Sequence, residues 1–295
     1  MTDIVSILVS TVVLGSIYGL VAIGMTLIYG ILRVLDMSQG SMVMIGGFVG
    51  WAVMTSAGWS PIVAIVLAFL ATFALGVITQ LVSVQPLLGR RGLDFEMITF
   101  ITTFAVAMIM ANLALQIAGP AQRNVPPLVD GSVEVYNGVN LTYQSMIMAG
   151  VSVAIIAAFG VFLARSRYGI AIRAIAQDID AARLQGVPIR KVFPVVMGFA
   201  SALAGIAGVF LAAQYFASPT AGEQPLLIAL IVVVFGGLGS LPGAIIAAYA
   251  IGLIQATAST LFGTTWGLPI LYAVILLVLV VRPQGLLGRP MEARL

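Results

Sequence analysis

Arg165-Ser166-Arg167-Tyr168-Gly169-Ile170-Ala171-Ile172-Arg173-Ala174-Ile175-Ala176-Gln177-Asp178 is a basic, amphipathic stretch set between long apolar runs, and it continues to Leu184-Gln185-Gly186-Val187. Six of the chain's 13 Lys and Arg residues lie between 165 and 191: Arg165, Arg167, Arg173, Arg183, Arg190 and Lys191. A loop that gathers positive charge between two membrane segments is held on the cytoplasmic side. Tyr168, Ile172, Ile175, Ile179 and Ala182 recur at spacings of four, three, four and three, which predicts one apolar helix face. Arg173, Gln177 and Asp180 fall on the other side of that helix. Two readings fit: a helix lying on the anionic inner leaflet, or a helix gripped by a partner subunit. A loop that carries its own helix favours a driven membrane machine over a passive pore.

The surroundings of this stretch belong in a bilayer. Hydrophobic residues make up 61% of the chain and charged residues 8%, against about 25% charged in soluble domains. Mean hydropathy is +1.15. The apolar runs are continuous, not alternating, so they predict helices and exclude a β-barrel. The 32 Gly and 13 Pro suit helices that pack closely or break. Cys and His are both absent, which removes disulfides, thiolate chemistry, the usual proton shuttle and the commonest metal ligand. The net charge of +3 reflects basic cytoplasmic loops and not nucleic-acid binding. Met1-Thr2-Asp3 carries no basic region, so the first apolar run is expected to be a retained span.

Apolar runs cover residues 4–32, 42–55, 62–82, 97–118, 143–163, 193–213, 226–235, 244–261 and 268–281. The basic loop Gly89-Arg90-Arg91-Gly92 and the tail from Arg282 are expected inside, and the polar segments 119–141 and 218–223 outside. The N-terminus then faces out, the C-terminus faces the cytoplasm, and Trp59, Tyr143, Tyr215 and Trp266 form an outer aromatic belt. The fold expected is an all-α, polytopic integral membrane bundle of about eight to nine helices, some broken, in a single domain over 1–295.

The polar break Arg33-Val34-Leu35-Asp36-Met37-Ser38-Gln39-Gly40-Ser41 is the candidate solute path. Arg33 and Asp36 are three apart and would pair on a helix. The break is either a discontinuous helix at mid-depth, which exposes backbone groups to a polar solute, or a loop at the inner interface. Ser38, Gln39 and Ser41 are neutral hydrogen bonders that suit a zwitterion better than a proton relay. Gly236-Gly237-Leu238-Gly239-Ser240 lacks the Lys and strand of a phosphate loop and reads as a tight turn between packed helices. Gly15/Gly19, Gly46/Gly50 and Ala204/Gly208 have the spacing of helix contact faces. Gln80, Asn112, Gln116 and Gln255 either line a path or tie helices together as buried polar groups, with tying the favoured reading. No catalytic constellation and no metal-ligand cluster is visible. Asp36 and Glu223, the acids near apolar segments outside the basic loops, are far apart in sequence.

Taken together the residues resemble the permease subunits of branched-chain amino-acid ABC importers, the hydrophobic amino-acid uptake family. The resemblance covers nearly the whole chain: residues 15–30, Tyr168 to Asp178 with Ala181-Ala182 and Leu184-Gln185-Gly186-Val187, the small residues of 199–208, residues 236–240, and Arg282-Pro283-Gln284-Gly285-Leu286. It implies a multi-pass protein of the bacterial inner membrane that pairs with a second related permease as a heterodimer. Two cytoplasmic ATPases would carry the ATP, so this chain binds no cofactor itself and is not an enzyme. A periplasmic binding protein would deliver the solute. Tyr168, Gly169, Ile172, Arg173, Ala174, Ile175, Gln177, Asp178, Ala182 and Gly186 would couple to the ATPases. Arg33, Asp36, Ser38, Gln39, Gly40 and Ser41 would border the path, and Gly236, Gly237, Gly239 and Ser240 would form a hinge or packing turn. One departure stands out. The family commonly reads Asn-Phe-Ala-His-Gly-Glu where this chain reads Asp36-Met37-Ser38-Gln39-Gly40-Ser41, keeping only the Gly. The same architecture also serves amides, urea and aromatic acids. An ion-coupled secondary transporter is the alternative, disfavoured for protons by the absence of His and the scarcity of membrane acids.

Overall fold

The computed structural model describes residues 2–88, 94–129, 131–136 and 139–281. The loop at 89–92 and the tail from Arg282, both expected inside, lie outside the described residues, as does Asp130.

Backbone polar groups cannot be left open in hydrocarbon, so the apolar runs close into helices. In chain order these are α1 (Thr2–Leu32), α2 (Gln39–Trp51), α3 (Pro61–Thr79), α4 (Phe95–Ala118), α5 (Tyr143–Arg165), α6 (Arg167–Gln177), α7 (Ile179–Leu184), α8 (Ile189–Gln214), α9 (Glu223–Gly236), α10 (Leu241–Phe262) and α11 (Thr264–Val281). α2 runs on through a π-helical turn, Ala52–Ser56, and α3 through Gln80–Val84 and the 3-10 turn Gln85–Leu87. An antiparallel hairpin of β1 (Ser132–Tyr136) and β2 (Val139–Thr142) precedes α5, with Ser132 opposite Thr142.

Among the described residues, six helices are long and apolar enough to cross a membrane: Ile4–Leu32, Pro61–Leu87, Phe95–Ala118, Tyr143–Arg165, Ile189–Gln214 and Leu241–Phe262. The remaining apolar helices are shorter. α9 has 14 residues and reaches about 21 Å at 1.5 Å per residue, less than the ~30 Å hydrocarbon core. The bundle therefore mixes full spans with half-length helices.

α8 is the central pillar, and small residues bring its neighbours close. A Cβ on Gly24 of α1 would stand 2.7 Å from the Ala200 carbonyl oxygen of α8. Gly46 of α2 faces the Gly205 backbone, and a Cβ on Gly208 would overlap the Val43 carbonyl. Gly76 of α3 lies 2.7 Å, by the same measure, from the Met197 carbonyl. Phe199 adds a ring cluster, its centroid 5.2 Å from Phe73 and 5.1 Å from Phe162, tying α3, α5 and α8. The expected small-residue faces are thus all contact faces: Gly15 and Gly19 meet Tyr249 and Ala248 of α10.

These pairs also fix direction. Along α1 the residues Gly15, Gly19 and Gly30 face Tyr249, Ala248 and Gly239 in turn, so α1 and α10 are antiparallel. On α3 and α8, Thr72 meets Gly205 and Gly76 meets Ser201, again antiparallel. Ser6 and Ser10 of α1 line one hollow with Leu211 and Gln214 of α8, so the N-terminus of α1 and the C-termini of α8 and α10 share one face, here the far face. The C-terminus of α1, the N-termini of α8 and α10, and the short helices α6 and α7 share the other, the basic face.

Candidate functional site

α1 stops at Leu32, and Arg33 turns the chain with a left-handed φ of +54°. The next residues carry no regular structure and lead to Asp36, which is 1% exposed. One Asp36 oxygen, Oδ1, accepts from Ser38 N at 2.9 Å and Ser38 Oγ at 2.7 Å. The other, Oδ2, accepts from Gln39 Nε2 at 3.1 Å. The carboxylate thus closes the N-terminus of α2, where the helix dipole is positive. The expected Arg33–Asp36 pair on a helix is corrected: Arg33 has left the helix and is exposed, and Ser38 and Gln39 occupy the carboxylate.

Two hydrogen bonds set the depth of this break. Met37 N donates to Thr103 Oγ1 at 3.3 Å, and Ser41 Oγ donates to the Ala107 carbonyl at 3.1 Å. Ala107 stands twelve residues after Phe95 and eleven before Ala118, halfway along a full span. α2 therefore begins level with the middle of α4 and runs to the far face.

A second half-length helix begins at the same place. Beyond α8 the chain turns back, Ala217 exchanging backbone hydrogen bonds with Arg123 at 2.8 and 2.9 Å, and descends to Gly222. A Cβ on Gly222 would overlap the Gly40 carbonyl, and one on Gly40 would lie 2.9 Å from the Gly222 carbonyl oxygen. The segment 218–223, expected as an outer turn, therefore reaches the level of Ser41. α9 then runs to the basic face. Two helix N-termini meet in the middle of the bundle, as in the broken helices that build solute sites in transporters. Asp36 and Glu223, 187 positions apart, sit at the beginnings of these two helices.

A cavity of about 350 Å³ opens beside this junction, between α2, α4 and α9. Met37, Met44 and Met108 supply adaptable apolar wall, and Ser41, Asn112 and Glu223 supply polar groups. It suits a small solute with an apolar side chain and a hydrogen-bonding head.

The predicted coupling segment is two helices, not one. Asp178 breaks the pattern: its Oδ1 accepts from Asp180 N at 2.9 Å and Ala181 N at 3.0 Å, capping α7. Ser166 Oγ accepts from Gly169 N at 2.9 Å and caps α6 in the same way. Ile172, Ile175 and Ala182 are buried as expected, Ile179 is half-buried, and Tyr168 is 51% exposed, so it leaves the predicted apolar face. Gly169 packs on the Leu163 carbonyl. Arg173 lies on the exposed side as expected, and its guanidinium reaches back to donate to the Leu163 carbonyl at 2.8 Å and the Ala164 carbonyl at 3.2 Å, capping α5. Ala174 is half-buried, while Gln177, Arg183 and Leu184 face outward. Gly186 ends α7 at φ +82°, with its N–H on the Arg183 carbonyl.

At the turn between α9 and α10, Gly237 and Gly239 have φ of +100° and +82°, and Ser240 Oγ accepts from Gly243 N at 3.2 Å. Gly236 packs against Gly243, and a Cβ on Gly239 would sit 3.3 Å from the Gly30 Cα. The run is a close-packed turn. Of the expected polar ties, Gln255 holds: Tyr18 OH donates to its Oε1 at 3.0 Å, joining α1 to α10. Asn112 and Gln116 are exposed instead. Gln80 is fully buried, and neither amide atom has a partner among the described residues. Glu223 was singled out from sequence as an acid near the apolar segments but not as part of a site, and the methionine wall was missed; Gly222 and Glu223, which open α9, closed the segment 218–223 that read as a turn.

Residues 7–280 match the family described as branched-chain amino acid transport system / permease component. The chain is 29% identical over 296 residues to the high-affinity branched-chain amino acid transport system permease protein BraD of Pseudomonas aeruginosa, covering 96% of this chain and 95% of that one. It is 30% identical over 293 residues to the corresponding permease protein LivH of Escherichia coli K12, covering 95% and 94%. Among solved structures, PsaBC from Streptococcus pneumoniae in complex with Fab is similar in fold, with a TM-score of 0.51 at 15% identity, covering 96% and 93% of the two chains. With the match running across all the described helices from residue 7 to residue 280, this chain belongs to the family of branched-chain amino acid transport permease components.

Proposed function

We propose that this chain is the membrane-spanning permease subunit of an ATP-driven importer, and that its solute is an amino acid with an apolar side chain. The observation that carries this reading is the near-full-length similarity to two permease proteins named for branched-chain amino acids. The methionine-walled cavity at the α2/α9 junction agrees with it, since it offers apolar volume next to a few hydrogen-bonding groups. The basic face is the cytoplasmic one, and the N-terminus lies outside. α6 and α7 receive an ATPase, and a second permease completes the membrane unit. A binding protein delivers solute at the far face.

In this mechanism ATPase closure displaces α6. Arg173 passes that displacement to the end of α5, and Ile172 and Ile175 pass it to the core. The packed turn at Gly236 to Ser240 is the pivot for α9, whose other end forms one side of the junction. A small rigid-body shift of α9 against α2 opens or closes the mid-depth cavity.

The test is ATP hydrolysis and uptake in proteoliposomes holding this chain, its second permease, its ATPases and its binding protein. Branched-chain amino acids are compared with other amino acids, amides and urea, because residues 36–41 depart from the family pattern. Stimulation by leucine-loaded binding protein is expected. Stimulation by an amide alone would keep the importer and change the solute. Uptake driven by an ion gradient without ATPases would overturn the reading in favour of a secondary transporter.

A further inference from the structure

A second cavity, of about 490 Å³, lies between the far-face halves of α1, α8, α10 and α11. Its chemistry differs from that of the junction cavity. Tyr18, Tyr215, Gln224, Gln255, Ser259 and Thr264 bring hydroxyls and amides to its walls, and no Asp, Glu, Lys or Arg lines it among the described residues. Gln255 is only 9% exposed. Its Oε1 accepts from Tyr18 OH at 3.0 Å, which ties the amide to α1, and both residues line the cavity. An amide and several hydroxyls on the wall of one cavity offer hydrogen bonds to water or to a solute that enters it.

The two cavities share one wall. Ala221, Gln224 and Pro225 face the second cavity, while Gly222, Glu223 and Leu226 face the junction. The first turn of α9 therefore stands between the second cavity and the junction. That turn is also where the chain is pinned most closely to α2, through Gly222 and Gly40.

We propose that the far-face cavity is a binding vestibule for a small neutral or zwitterionic solute, and that the first turn of α9 is the partition the solute crosses to reach the junction. Uncharged donors and acceptors can hold both ends of a zwitterion without trapping it by a full counter-charge, and an acid or base in solution finds no ion pair there. The assignment rests on the importer reading for the direction of travel, but not for the binding itself.

The chain has no Cys of its own, so an introduced thiol is the one reactive site on this subunit, and the complex without either substitution is the control. Ser259→Cys and, separately, Gln224→Cys are introduced into the complete complex in proteoliposomes with the binding protein outside. A charged, membrane-impermeant methanethiosulfonate is applied from that side. Both positions are expected to react. Leucine-loaded binding protein at about ten times its half-saturating level should slow the reaction roughly tenfold, because only the unoccupied fraction is open to reagent. Modified complexes are expected to lose leucine uptake. Labelling at neither position, or full modification of both with uptake unchanged, overturns the vestibule. Two variants guard against misfolding: Gln224 is exposed at the rim, so its substitution leaves the Tyr18–Gln255 tie intact. Leucine uptake by the unmodified complex tests the importer reading by itself, whereas labelling needs no transport.

Discussion

Gly40 and Gly222 meet backbone to backbone, so that the first turns of two short helices that diverge to opposite faces are joined at the middle of the bundle. Neither position has room for a side chain. A Cβ on Gly222 would overlap the Gly40 carbonyl oxygen, and backbone on both sides leaves nothing flexible to yield.

Gly222→Ala is therefore expected to destabilise the protein by about 1–3 kcal/mol, the range for overpacking a tight interior, and to reduce uptake. Gly160→Ala is the control, since a Cβ there meets nothing within 4 Å. Alanine in that mid-helix position should be neutral or stabilising by up to about 1 kcal/mol. Thermal unfolding of the purified complex distinguishes them. Equal stability of the two variants would mean that the junction is not held by this contact.

Asp36 is expected to matter through its three accepted hydrogen bonds and not through an ion pair. Asp36→Asn retains size but sets an amide donor against either Ser38 or Gln39 Nε2. One donor is left unmet in a site that is 1% exposed, at a cost of about 1–3 kcal/mol. Lower thermal stability and lower uptake should appear together. An Asn variant with unchanged unfolding and uptake would remove the carboxylate from the junction's framework.

Gln80 is the reverse case. Its amide is fully buried in the π-helical turn that continues α3, with neither atom paired among the described residues. Gln80→Met keeps the volume and removes an unpaired polar group, so stability should be unchanged or higher by about 1–2 kcal/mol. A loss of uptake with stability retained would show instead that the amide meets solute or water during transport.

Much of this architecture could be read before the structure. Continuous apolar runs fixed the helical class, and Gly15, Gly46 and Ala204 marked true contact faces because close approach demands small residues. The α6–α7 segment was visible from charge, but its break was not: the apolar spacing runs straight through Asp178, and a cap is a local hydrogen-bonding event to which periodicity is blind. Depth was the larger gap. The segment 218–223 is polar and follows a full span, so it read as a surface turn. Its true level depends on Gly222 meeting Gly40 across 182 positions, a pairing that hydropathy does not encode.

Arg173 is the residue at which the coupling reading stands or falls. Its guanidinium bonds two carbonyls at the end of α5, a fork geometry that an ammonium cannot reproduce. Arg173→Lys should thus keep the charge of α6 and lose part of the tether, reducing uptake while leaving ATPase association intact. The double substitution Arg173→Glu with Ala174→Glu removes the cap, places negative charge at the negative end of the α5 dipole and reverses the charge of the face beside it. Uptake should fall roughly tenfold or more, the size of a typical coupling free energy, with the protein still inserted in the membrane. Stimulation of ATP hydrolysis by loaded binding protein should be lost with it. If uptake and stimulation both survive the double substitution, α6 does not transmit the ATPase cycle, and its arginines serve only to hold it against the bundle.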